Sequence, residues 1–172
     1  MKYTVLFLAL LVAATYCHFD FTHHQNGHEL VVSLKDEASK IWVVFVESND
    51  PANEGIPDEN KKVKSAIKDN LVNEDVYYTE VDLTDAEAIK KYAEFTNTTS
   101  IDLEKLKEGP LVVLVHNKKG YWIHGHGIPQ ETVDTIHSFI AQKEGDQNKN
   151  QQISVGSKTN HPSSYESYGG GY

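Results

Sequence analysis

The chain has 172 residues and a net charge of −9, and all sixteen of its basic residues are lysines. The length gives room for one ordinary domain plus tails, while the acidic balance and the missing arginine fork exclude a nucleic-acid-binding surface as a working reading. The single cysteine, Cys17, leaves no intramolecular disulfide, no CxxC pair and no cysteine zinc site.

Met1-Lys2 and the apolar run over 4–14 have the form of a signal peptide spanning 1–17. Thr15 and Cys17 are small residues at the −3 and −1 positions for cleavage after Cys17; Val12 and Ala14 offer the same after Ala14. The run is shorter than the roughly 20 apolar residues of a membrane span. The alternative is an uncleaved anchor, the only route by which this chain would become membrane-associated. Residues 18–28 form a His-containing N-terminal arm with His18, His23, His24 and His28. Neutral imidazole is a common metal ligand, but no fixed ligand spacing stands out, so a polar connecting segment is the plainer reading.

Residues 29–34 are a short strand candidate. Residues 41–46, IWVVFV, are continuous and β-branched, which suits a central strand buried on both faces. Residues 47–57 carry two Pro, a Gly and several acids and read as a loop. Within it Asp50 and Glu54 are the candidate ligands of a weak calcium site, although the spacing fails the EF-hand pattern. A solvated acidic loop before a helix N-terminus explains the same charges. Val63, Ala66, Ile67 and Leu71 have helical spacing, which predicts a helix over 58–71. Residues 76–83, rich in Val and Tyr, read as a strand. Thr84 with Glu87 three residues on predicts a capping box and a helix ending near Thr96. Asn97-Thr98-Thr99 is an N-glycosylation sequon, used only if the chain enters the secretory pathway.

Pro110 cannot donate to a ladder, so it must stand at the start of its strand, and Gly109-Pro110 is a candidate cis step. Residues 111–115 and 121–124, joined by a polar turn over 117–120, predict an antiparallel hairpin. His124 and His126 would share a strand face, a candidate metal pair with no third ligand in view. Val133, Ile136, His137 and Ile140 place a last helix over 131–142. From 144 the chain is rich in Gly, Ser, Asn and Tyr, cannot bury enough apolar surface to offset its ordering entropy, and reads as a disordered tail over 144–172.

The order of elements and their signposts resemble the thioredoxin fold over residues 29–143. IWVVFVES (41–48) resembles that family's central strand before the active site, VYYTEVDLT (76–84) its next parallel strand, and LVVLVHNKKGYWIHGHG its late hairpin and trailing glycine. The resemblance implies an α/β fold: a mixed central sheet with a parallel strand–helix–strand unit, a C-terminal antiparallel hairpin and helices on both faces. It also implies a cis peptide at Pro110, with peptide contact at Gly109, Pro110 and the 48–57 loop. Redox members carry CxxC just after the central strand, where this chain reads ESNDPANEGIPDENKK. Without a thiolate there is no thiol–disulfide exchange at that site, and Ser48 has no adjacent base in sequence. The chain is thus similar to the non-catalytic domains of the protein disulfide isomerase family. The signal-peptide pattern at 1–17 implies a secretory protein, extracellular or luminal, and the resemblance implies one that is no enzyme, has no cofactor unless calcium, and acts in protein binding or as a structural component. The alternatives are a luminal chaperone-like or calcium-binding module and a membrane-anchored scaffold subunit of a larger complex.

Overall fold

The structure, a computed structural model, describes residues 19–125, 129–142 and 152–154. The signal peptide expected at 1–17, His18, His126 and the remainder of the 144–172 tail lie outside these residues.

The central strand β2, Ile41–Glu47, is buried at every position. Successive side chains alternate between two cores, as the period of a strand requires. Trp42, Val44 and Val46 enter one core; Ile41, Val43 and Phe45 enter the other. Strand β3, Val76–Asp82, runs parallel to β2 on one side, and β4, Leu111–His116, antiparallel on the other. The hairpin partner β5, Lys119–His124, follows β4. Strand β1, Phe19–Phe21, pairs parallel with the outer side of β3. With β6, Gln152–Ser154, the order is β1-β3-β2-β4-β5-β6. This is the mixed sheet, parallel unit and late hairpin that the thioredoxin resemblance implies.

Helix α1, Gly27–Asp36, α4, Ala93–Thr99, and a 3-10 turn, Leu103–Lys107, cover the first core with Leu30, Val31, Leu34, Phe95 and Leu106. Helix α2, Ile56–Leu71, and α5, Pro129–Gln142, cover the second. They contribute Val63, Ile67 and Leu71 from one helix and Val133, Ile136 and Phe139 from the other, the spacing that puts them on one helical face. No helix among the described residues is long and apolar enough to cross a membrane.

Four expectations are corrected. Residues 29–34 are not a strand but lie within α1. Asn26 caps that helix by accepting the Glu29 N–H at 2.9 Å, and Glu29 reaches back to the Gln25 N–H at 2.7 Å, a reciprocal cap one residue offset from the usual box. Of the segment 18–28, the described residues 19–28 are not a free arm, because they supply β1 and the first two residues of α1. The cap of α3, Ala86–Lys91, is Asp85 rather than Thr84; Thr84 Oγ1 instead accepts the Asn49 N–H at 2.7 Å. The helix also breaks at Tyr92 before α4 resumes, just where the Gly27 backbone approaches so closely that a Cβ there would lie 2.9 Å from Tyr92 atoms. In the hairpin, Asn117 and Lys118 alone make the turn, with φ 51° and 64°, a type I′ geometry; Gly120 lies in β5, where a Cβ would meet the Leu114 carbonyl at 1.7 Å. Gln152–Ser154, within the 144–172 segment, pairs with the outer edge of β5, and the rest of that segment lies outside the described residues.

Candidate functional site

The end of β2 beside Pro110 is where the resemblance places function, and it is built from four elements. Glu47, the last residue of β2, is 5% exposed. Strand parity turns it to the same face as Phe45, toward α2. Lys64 of α2 pairs with Glu47 and also lies 3.4 Å from Glu80 Oε2. One turn on, Lys68 reaches Glu80 Oε1 at 2.6 Å, and the Tyr78 hydroxyl donates to the same oxygen at 3.1 Å. The lysines lie over aromatic rings: Lys64 Nζ is 5.4 Å from the Phe45 centroid and Lys68 Nζ 5.1 Å from that of Phe21.

Two carboxylates thus meet two ammonium groups, and the charges balance. Burial works against the Lys64 ammonium, but its hydrogen bond and attraction to Glu47, backed by Glu80, hold its pKa above the ordinary value. Burial likewise favours a neutral Glu80, yet the Lys68 hydrogen bond and both lysine charges hold that carboxyl below its usual range. Burial, then the nearby Glu80, drives the Tyr78 phenol strongly upward, so it stays protonated and donates. A buried pair of this kind stands only while both partners are present.

The loop that follows is tied down. Asn60, fully buried on the first turns of α2, donates through Nδ2 to the Ser48 carbonyl at 2.9 Å and to Asn49 Oδ1 at 3.2 Å. Its Oδ1 is buried with no hydrogen-bond partner. Gly55 ends the loop in the left-handed region at φ 83°. On the far side of the corner, no cis peptide occurs among the described residues, so Gly109–Pro110 is trans and the expected cis step is corrected. Gly109 precedes Pro110 with φ 148°, a backbone conformation that favours glycine. The Pro110 carbonyl accepts the Gly125 N–H at 2.7 Å. A Cβ at Gly125 would stand 3.1 Å from Pro110 Cγ and 3.3 Å from Val63, so proline, glycine and α2 form one tight corner.

Among the described residues, the other expected site residues do not converge. Asp50 accepts the Ala52 N–H at 2.9 Å within its own loop, and Glu54 is exposed. His124 Nε2 lies 3.1 Å from the Lys105 carbonyl, and His126 is outside the described residues. No group of three or more potential metal-binding side chains occurs among the described residues. Asn97 is exposed on α4, while Thr99 is buried and donates to the Phe95 carbonyl at 2.8 Å.

Sequence reasoning missed Lys64, Glu80 and Asn60. Parity along β3 was the available signal, since Tyr78 and Glu80 share a face and an inward carboxylate asks for a cation. It also missed a cleft of about 350 Å³ at the opposite end of the sheet, between α1 and β1, with Trp42 and Tyr77 in its wall.

No protein-family model and no curated protein matches the chain. Among solved structures it is similar to the solution structure of the thioredoxin-like domain of Arabidopsis NCP (nuclear control of PEP activity), with 11% identity, 83% of this chain and 95% of that chain covered, and a TM-score of 0.46.

Proposed function

We propose that this chain is a non-catalytic, thioredoxin-like protein of the secretory pathway that works by binding another polypeptide or as a structural component. The observation that carries this reading is the chemistry at the end of β2. Where redox relatives hold a thiolate, this chain has Ser48-Asn49-Asp50-Pro51, and its one cysteine lies at position 17. Disulfide exchange needs that thiolate. The polar groups at this end are used in holding the loop: Glu47 on Lys64, Asn60 on Ser48 and Asn49. His24, at 3.3 Å from Thr79 Oγ1, faces a threonine only 2% exposed, out of reach of a substrate. What the corner of Gly109, Pro110 and residues 48–55 offers is backbone and shape, the means by which an extended peptide is held.

The secretory assignment is supported by the pattern of residues 1–17 and by an exposed Asn97 within its sequon. Peptide mapping and intact mass of the natural protein test it. The expected result is a start at His18 with glycan mass on Asn97; a start at Met1 overturns it. Titration of the protein with extended peptides tests the binding reading. Saturable amide shifts at residues 48–55 and 109–111 support it; thiol-independent turnover of a substrate at this corner overturns it.

A further inference from the structure

Asn97-Thr98-Thr99 is a glycan acceptor motif of a kind ordinarily carried on surface loops, but here it lies within helix α4, Ala93–Thr99. An enzyme that reads Asn-x-Thr has to touch two side chains: the asparagine amide, which takes the sugar, and the threonine hydroxyl two residues on. In an extended chain, residues i and i+2 lie on one face. In a helix they point about 200° apart.

That rotation sends the two side chains to opposite sides of α4. Asn97 is exposed. Glu94, three residues earlier and on the same helix face, reaches across the surface to His28 Nδ1 at 2.9 Å. Thr99 turns the other way with Phe95 and Thr96 and is 0% exposed. Its hydroxyl has one proton to give, and gives it to the Phe95 carbonyl at 2.8 Å. The helix cannot be straightened in place either. Phe95 is packed in the first core with Leu30, Val31, Leu34 and Trp42, so extending residues 97–99 draws Thr99 out of the interior and loosens the turn that holds Phe95.

We propose that Asn97 accepts an N-linked glycan only while α4 is unformed, so that the sugar is added before the first core closes and the folded domain is no longer a substrate. In that step Asn97 Nδ2 attacks C1 of an oligosaccharide carried on a lipid pyrophosphate. The C1–N bond forms as the C1–O bond breaks, the pyrophosphate leaves with the electron pair, and the amide proton passes to a base of the transferase. The helix then folds beneath the sugar, because the Asn97 face is the face that meets water. The proposal rests on the secretory reading of residues 1–17, which brings the chain to the transferase and its donor.

The test incubates the full, unglycosylated chain with purified oligosaccharyltransferase and its lipid-linked donor, and follows glycan mass on Asn97 by peptide mapping. Two unfolded substrates are run beside it. One is the full chain carrying Phe45→Asp, which buries a carboxylate in the second core and leaves the sequon untouched; loss of amide dispersion confirms that it is unfolded. The other is the blocked peptide of residues 93–101, too short to hold a helix alone, which supplies the unfolded rate whatever the variant does. The expected result is glycan on the unfolded substrates and a folded chain slower by at least about 100-fold, since its acceptor is presented only in the rare open state. Adding Thr99→Val to the unfolded chain should abolish the transfer. A smaller difference between folded and unfolded chains, transfer that survives Thr99→Val, or no transfer to the unfolded substrates overturns the proposal. These rates do not depend on residues 1–17. A natural protein that starts at Met1 and carries no glycan overturns the secretory reading, whereas a folded chain modified as fast as the unfolded one overturns the gating by α4.

Discussion

The two ends of β2 are built on opposite logic. At the Glu47 end, charges are buried and answered: Glu47 and Glu80 face Lys64 and Lys68, and Asn60 ties down the loop. At the Trp42 end, carboxylates line a cleft whose described walls supply no lysine. The first arrangement commits its polar groups to holding the fold. The second leaves its carboxylates nearer to water, where Glu29 accepts the Gln25 N–H and Asp20 lies in the field of Lys40. Buried polar groups become costly when a partner is lost, whereas exposed ones titrate and exchange partners at little cost.

The largest break in this comparison comes from Lys64→Met. The methionine keeps the apolar stem over Phe45 but strands Glu47 at 5% exposure beside Glu80. The expected loss is about 3 kcal/mol, the lower end for a broken buried pair because the Lys64 side chain is itself 22% exposed. Urea unfolding measures it, and adding Glu47→Gln should restore part of the loss; an undiminished loss in the double variant would place the damage in packing rather than charge.

The same network sets the acid limb of stability. Glu80 is held below its ordinary value in the fold, so it binds protons more readily when unfolded. Its contribution is complete at pH above the unfolded carboxyl's titration and disappears as pH falls through the lower folded value. Lys64 has the opposite sign: its raised pKa stabilises below the ordinary lysine range and is lost as alkaline pH passes the folded value. Unfolding midpoints should therefore hold between these limits and drop in acid, and Glu80→Gln should flatten the acid drop relative to the parent.

How far these ends were legible from the chain depends on how local their signals are. Continuous β-branched runs announced β2 and β4, and the i, i+4 spacing of Val63, Ile67 and Leu71 announced α2. Segment 29–34 misled because Val31 and Val32 read as strand while the decisive cap, Asn26 with Glu29, lay just upstream. The Glu47–Lys64–Glu80–Lys68 group draws on β2, α2 and β3, so only the parallel register that sets Phe45 opposite Glu80 brings it together. The cleft needs more still: β1 must lie beside β3, and nothing local in Phe19–Phe21 states which strand it will join.

Asn60→Ala sharpens the contrast with a smaller effect. It removes both hydrogen bonds to the 48–49 segment, but it also removes the buried Oδ1 that has no partner. The two partly offset, so the expected loss is about 1 kcal/mol, with faster amide exchange at Ser48 and Asn49 as the local sign. A loss above about 3 kcal/mol would mean that the orphan oxygen is satisfied in solution by a bound water.

The smallest effect belongs to the Trp42 end and is the most telling. Glu37, just past the last turn of α1, accepts the Lys40 and Trp42 N–H groups through its backbone carbonyl, at 3.0 and 3.3 Å, which any side chain preserves. What its side chain adds is a stretch of the cleft wall. Glu37→Gln should therefore leave unfolding free energy within about 0.5 kcal/mol of the parent. A larger loss would make Glu37 part of the scaffold, like Glu47, and the two ends of β2 would then differ in exposure but not in kind. An unchanged stability separates a carboxylate that only lines the surface from one, like Glu47, that holds the fold.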